Sequence, residues 1–411
     1  MPTSAQSAGF YAVKAAAVCC FASISIFACN PPKTERYGFL TTIGRDTLSI
    51  ESITRQGNTL TSEEADRFPV VRIRHTVVKL NDDGSIRHLE MNIHEPSAPA
   101  GQRDRTVVAE VGGNKVHLSK TDSTGTVKRD FDTRGGLVVA HVQQMYSMYE
   151  LYFAAAQKQA GASNSAAGRT IPLRQFYIDR EFDHFPLGHA DVKPLDSGKM
   201  EVTHDWLAGT GEARMDSAGD MISYSGARTT YDVRVRRLDT PPDVKGVADR
   251  FQAAEAAAGR VRELSNRDSI RAQIGNAVFT VDYGRPVMRG RTLLGGLIPY
   301  DYVWRTGANA ATQFTTSAPI KLAGMQVPAG HYTLFTLPHP ASVDLIVNKQ
   351  FGEWGTEYNG SQNLGRGAMT SETAATPVEK FTISIVPRDS KHGTLVFEWG
   401  TFRWSAPIEV Q

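Results

Sequence analysis

The sequence predicts a mainly β protein: an N-terminal curved antiparallel β-meander or half-barrel with one packed helix, a linker helix, and a C-terminal β-sandwich. Three observations carry this. Apolar residues alternate with polar ones at period two in segment after segment; Gly, Asn, Asp and Pro clusters separate those segments; and helical spacing appears in only two places.

Residues 37–240 form the first expected domain. In "SIRHLEMNI", Leu89, Met91 and Ile93 share one face and His88, Glu90 and Asn92 the other. In "TYDVRVRRL", Tyr231, Val233 and Val235 oppose Asp232, Arg234 and Arg236. One polar and one apolar face mark half-buried strands. "NDDG" (81–84) and "DSAGD" (216–220) supply turn residues between such runs. "HVQQMYSMYELYFAAAQKQAG" (141–161) interrupts them, with Val142, Met145, Tyr149 and Tyr152 at helical spacing and Gly161 as a stop. The expected role of this helix is to plug the open side of the curved sheet. "GASNSAAG" (161–168) reads as a flexible loop.

"DTPPDVKG" (239–246) breaks the pattern and opens a connector over 241–269. Val247, Phe251, Ala254, Ala258 and Val261 give it one apolar stripe; Arg250, Glu255 and Arg262 lie opposite. Residues 270–411 are the second expected domain, with strands in "VPAGHYTLFTLP", "VDLIVNK", "KFTISIV" and "TLVFEW".

The N-terminus predicts export. Lys14 is the only charged side chain in residues 1–28, and an apolar run follows from Ala15 to Ala28. As a helix that run spans about 21 Å, short of the roughly 30 Å hydrocarbon core, which suits a signal peptide. Ile26-Phe27-Ala28-Cys29 resembles a bacterial lipobox, with Cys29 as the residue to be lipidated. Cys19 and Cys20 would leave with residues 1–28, so the mature chain would hold no disulfide and no cysteine-based zinc site. Residues 29–36 then form a tether, and the expected partner is a membrane, reached through acyl chains. Asn30, rather than aspartate, favours the periplasmic side of an outer membrane where the cell has one.

A net charge of +2 over 411 residues gives no field for nucleic acid. There is no H-E-x-x-H, G-x-S-x-G, Walker loop or dinucleotide fingerprint, which disfavours those zinc proteases, α/β-hydrolases, P-loop NTPases and dehydrogenases. No cofactor is expected. His184 and His189 near Asp183 and Asp191 lack diagnostic ligand spacing, so no metal is assigned.

The second domain resembles a bacterial family known as domain of unknown function 2911. The matching residues are "TVDYGRPVMRGRTLLGGLIPYDYVWRTGANAAT" (280–312), "VPAGHYTLFTLP" (327–338), "LIVNKQFGEWGTEYN" (345–359), "LGRGAM" (364–369) and "FTISIV". The resemblance covers about a third of the chain and implies an exported bacterial protein, without implying an activity.

Candidate binding residues lie in those motifs. Arg285, Arg289 and Arg305 offer forks for a carboxylate, phosphate or acidic sugar; Trp304 and Trp354 offer stacking faces; Asn309 can orient a hydroxyl or carbonyl. The structural alternative is that Arg285 and Arg305 pair with Asp282 and Asp301 and pin loops. Asp282 and Glu353, with Glu357 beside it, are the weak candidates for an acid–base carboxylate pair. Three readings follow: a lipid-anchored protein binding a small polar or anionic ligand, a hydrolase of envelope glycans, or an envelope lipoprotein carrying an apolar client.

Overall fold

A computed structural model describes Met1 and residues 33–67, 70–161, 168–178, 187–205, 207, 209–258 and 264–411. Residues 2–28 of the expected signal peptide, Cys29, Asn30, Asp183, His184, Val261 and Arg262 lie outside the described residues. Among the described residues no helix is long and apolar enough to cross a membrane. Residues Thr34–Gln411 form one compact unit.

The period-two segments become two large sheets. The first contains Thr34–Ile43 (β1), Asp46–Gln56 (β2), Thr59–Asp66 (β3), Arg72–Leu80 (β4), Ile86–His94 (β5), Asp104–Gly112 (β6), Lys115–Asp122 (β7), Gly125–Asp132 (β8) and Leu137–His141 (β9). After helix α1 (Tyr146–Gly161) it continues with Ile171–Tyr177 (β10), Gly188–Pro194 (β11), Lys199–His204 (β12), Thr210–Met215 (β13), Met221–Ser225 (β14) and Val233–Leu238 (β15). The order is β8-β7-β6-β5-β4-β3-β2-β1-β15-β14-β13-β12-β11-β10-β9. Strands β1–β8 thus form one meander, and β15 returns to pair with β1. The pairing is antiparallel except between β9 and β10, which α1 connects as a crossover. The sheet curves enough that β9 lies against β5.

The helix starts at Tyr146, later than residue 141, because residues 137–141 are taken up as strand β9. It is also buried all round: every residue from Tyr146 to Phe153 is covered. A one-sided stripe would leave a polar face in water. Here that face is buried and satisfied by the sheet. Glu51 on β2 accepts the backbone N–H of Tyr146, and that of Ser147 at 3.1 Å, capping the helix. Glu150 accepts from the Tyr37 hydroxyl and from Arg237 (2.8 Å), whose guanidinium lies 3.6 Å over the Tyr37 ring. Around these contacts Phe39, Ile53, Leu89, Met91, Val107, Leu173 and Val202 pack on Met148, Leu151 and Phe153. Each such side chain contributes about 1.5–3 kcal/mol on burial.

Helix α2 (Val244–Ala258) lies on the other face, with Val247 and Phe251 against Ile50, Ala65 and Val71. The second sheet begins at Ser265, inside the stretch expected to be linker. It contains Ser265–Ile274 (β16), Ala277–Pro286 (β17), Thr312–Thr316 (β18), Ile320–Leu322 (β19), Met325–Val327 (β20), Gly330–Pro338 (β21), Val343–Asn348 (β22), Asn363–Pro387 (β23) and His392–Val410 (β24). Their order is β16-β17-β18-β21-β22-β23-β24-β19-β20. The long β23 pairs first with β22 and then with β24, carrying the chain from one layer to the other. A bridge between Val287 and Lys380 stitches the chain after β17 back to β23. Phe279, Phe314, Leu334, Phe381, Trp399 and Trp404 fill the space between.

The two sheets meet at the loop after β17. Arg289 forms an ion pair with Asp46, which also faces Arg67 at 3.7 Å. Gly44 takes φ 56°, and a Cβ there would strike the Arg289 carbonyl oxygen, so the turn requires glycine.

Candidate functional site

Of the nine non-glycine residues with left-handed φ among the described residues, four fall between 289 and 309: Arg289, Asp301, Thr306 and Asn309. Such backbone is held only where its surroundings over-determine it, and it concentrates at binding and catalytic sites. Here the hold is visible. Asn309 presents its backbone carbonyl to the Arg305 guanidinium (3.2 Å) and to the Gly355 N–H (3.1 Å). The Ala311 N–H bonds the Glu353 carbonyl at 3.2 Å. Segments 309–311 and 353–355 therefore run side by side. A Cβ on Gly355 would strike the Arg305 side chain, so glycine lets the two segments close on it.

Arg267 on β16 links this pair of segments to β17. Its guanidinium pairs with the Asp282 carboxylate and donates to the carbonyls of Asp282 (3.2 Å), Ala310 (3.3 Å) and Ala311 (3.3 Å). Asp282, Arg305, Asn309, Glu353 and Trp354 thus belong to one neighbourhood. Trp354 is 42% exposed.

Three of the candidate residues stand elsewhere. Arg285 lies three positions from Asp282 and so on the opposite face of the strand; it reaches Asp268 (2.8 Å), the Phe381 carbonyl (3.0 Å) and Thr382 Oγ1 (2.9 Å). It ties the two layers together. Arg289 ties the two sheets, as described. Trp304 is 6% exposed, stacked on Trp399 at 6.0 Å and edge-on to Phe381 at 5.1 Å. Its ring is core, so the expectation that it stacks on a sugar is corrected. The alternative pairing also changes partners: Asp282 goes to Arg267 and Asp301 to His339.

That leaves Arg305 without a carboxylate partner among the described residues. Its guanidinium, half-buried between the sheets, donates to Asn309 and to Thr230 Oγ1 (3.2 Å) in the loop before β15. Burial pushes its pKa down to about 10, as it does for a cation without a counter-charge. Glu353 is the complementary case. Both its carboxylate oxygens are buried and have no hydrogen-bond partner among the described residues, an arrangement that calls for a ligand, ion or water. Its neighbour Glu357 is occupied, accepting the Trp354 N–H at 3.0 Å.

Sequence reasoning missed Arg267 and Thr230. Arg267 sits in an ordinary alternating strand, and only its register opposite Gly284 brings it to the site. Thr230 comes from a loop between strands β14 and β15 of the other sheet. Reasoning from pattern also missed a polar interior beside α1. There Tyr177 and Gln175 hold Asp205 at 2.6 and 2.9 Å, and Tyr152 bonds Gln175 at 3.2 Å. His141 and His204 lie beside them, and burial keeps both imidazoles neutral. His189 meets Asp205 at 3.5 Å, and no metal-binding cluster occurs among the described residues.

Residues 265–408 match a protein family of unknown function, DUF2911. No curated protein matches the chain. Among solved structures, the chain is similar to a DUF1089 family protein from Pseudomonas aeruginosa, 13% identical with a TM-score of 0.34, over 45% of this chain and 92% of that one. It is also similar to a beta-barrel-like protein of domain of unknown function DUF1849 from Brucella abortus, 10% identical with a TM-score of 0.31, over 51% of this chain and 95% of that one.

Proposed function

We propose that this is an exported, lipid-anchored binding protein whose second sheet holds a small anionic ligand, an acidic sugar above all, at Arg305. One observation carries the reading. Among the described residues Arg267, Arg285 and Arg289 are ion-paired with Asp282, Asp268 and Asp46, whereas Arg305 and Arg291 have only uncharged partners; of these two, Arg305 is the one packed beside the segment that carries the exposed Trp354. A ligand carboxylate completes it. Trp354, 42% exposed, then stacks on the sugar ring. The site lies where loops of the two sheets meet, a common place for ligands.

The test is calorimetric titration of the full chain with galacturonate, glucuronate and inorganic phosphate, for the natural protein and Arg305→Met. The expected result is binding by one of these anions, weakened at least about tenfold by Arg305→Met, with an unchanged melting temperature. Equal affinity in the variant, or a variant that unfolds, would make Arg305 a loop tie. The anchor is tested separately: Cys29→Ser should release the protein from membranes of its native host.

A hydrolase pairing Asp282 with Glu353 has less support, because Arg267 engages Asp282. An apolar client in the first sheet has less still, because α1 fills the concave face.

A further inference from the structure

A second, independent feature lies in the first sheet. The chain passes from one free edge of that sheet, β8, to the other, β9, in the four residues 133–136. Both edges therefore converge on this turn, and a cleft of about 340 Å³ opens beside it, lined by Asp130, Phe131, Asp132, Arg134, Arg174 and Leu187. That volume falls at the small end of ligand sites.

The charges lining the cleft are not consumed by one another. The guanidinium groups of Arg134 and Arg174 make no ion pair or hydrogen bond among the described residues. Among the described residues Asp130 is held by His117 Nδ1 at 2.8 Å, and Asp132 accepts the backbone N–H of Arg134 at 2.7 Å. Two cations and two carboxylates thus line one cleft without an ion pair between them among the described residues. Gly136 contributes to this spacing: a Cβ there would come within 2.6 Å of Arg174 Cγ, so glycine lets the arginine lie across the turn. Phe131, on the opposite face of β8 from Asp130 and Asp132, and Leu187 add an apolar lining on the core side.

We infer that this cleft binds a small zwitterion with an apolar side chain: an apolar α-amino acid or its dipeptide. The α-carboxylate takes the forks of Arg134 and Arg174. The α-ammonium faces Asp132, and the side chain rests on Phe131 and Leu187. A simple anion satisfies the arginines but leaves the aspartates facing it; a ligand of both signs matches a lining whose formal charges cancel.

The probes are leucine, leucyl-leucine, N-acetyl-leucine and leucinamide, titrated calorimetrically into the full chain. Leucine or leucyl-leucine should bind, and each blocked analogue, missing one charge, should bind at least about tenfold more weakly. Arg174→Gln should lower affinity by at least the same factor while leaving the melting temperature unchanged, since the side chain has no partner to lose. Gly136→Ala should act in the same direction by displacing Arg174. Arg305→Met, remote in the other sheet, should leave this binding intact, which separates the two sites. Absence of binding at about millimolar ligand, equal binding of the blocked analogues, or indifference to Arg174→Gln overturns the inference.

Discussion

Replacing Glu51 by Gln should make the protein's stability less dependent on pH, and the size of the effect follows from the structure. Glu51 is fully buried beneath the first turn of α1. Burial raises its pKa from the ordinary 4.5 to about 7, despite the opposing pull of Ser147 and the Tyr146 N–H. The folded state therefore keeps a proton that the unfolded chain gives up. The stability this contributes is fully present below pH 4.5 and is lost as pH rises from 4.5 to about 7. At about 1.4 kcal/mol per pH unit, that gap corresponds to about 3 kcal/mol. Gln carries no charge at any pH, so the stability of Glu51→Gln minus that of the natural protein should rise by about 3 kcal/mol between pH 4.5 and pH 8. The difference cancels every other titrating group the two proteins share. Urea unfolding followed by near-ultraviolet circular dichroism reads it, because Tyr146, Tyr149, Tyr152 and Tyr224 cluster around the capped helix. A difference that is the same at both ends of the range would refute the reasoning: Glu51 would then be ionised at no cost in the folded state.

Three further outcomes can be measured the same way. His141 titrates oppositely: burial lowers it from 6.5 to about 3, so its contribution is lost as pH falls through that window, and His141→Phe should flatten the acid limb by up to about 5 kcal/mol relative to the natural protein. Arg74→Ala leaves Glu64 and Asp66, bonded to it at 2.6 and 2.9 Å, buried without that cation, and should cost about 3–5 kcal/mol in urea unfolding. Trp304→Ala should cost about 3–5 kcal/mol by opening a cavity among Trp399, Trp404 and Phe381, with most of the loss recovered in Trp304→Phe; an unchanged midpoint would return Trp304 to the surface.

The order of amino acids makes legible the mainly β class, the two helical segments and the motif-bearing loops of the second sheet. Those are local properties: Leu89, Met91 and Ile93 alternate because a half-buried strand must, and the adjacent Pro241 and Pro242 remove two successive backbone donors from any ladder. It also brought forward Arg305, Glu353 and Trp354, since irregular Gly-rich backbone is visible in the letters. Tertiary structure alone decided their partners. Arg285 and Arg305 stand in the same motif with the same chemistry, yet one is tied across the layers to Asp268 and Thr382 and the other meets, among the described residues, only a carbonyl and a hydroxyl. Strand register brought Arg267 beside Asp282, and sheet curvature buried the polar side of α1 against Glu51 and Arg237. Periodicity records which face of an element is apolar; which charge meets which depends on contacts between residues far apart in the chain, and these exist only once the sheets have formed.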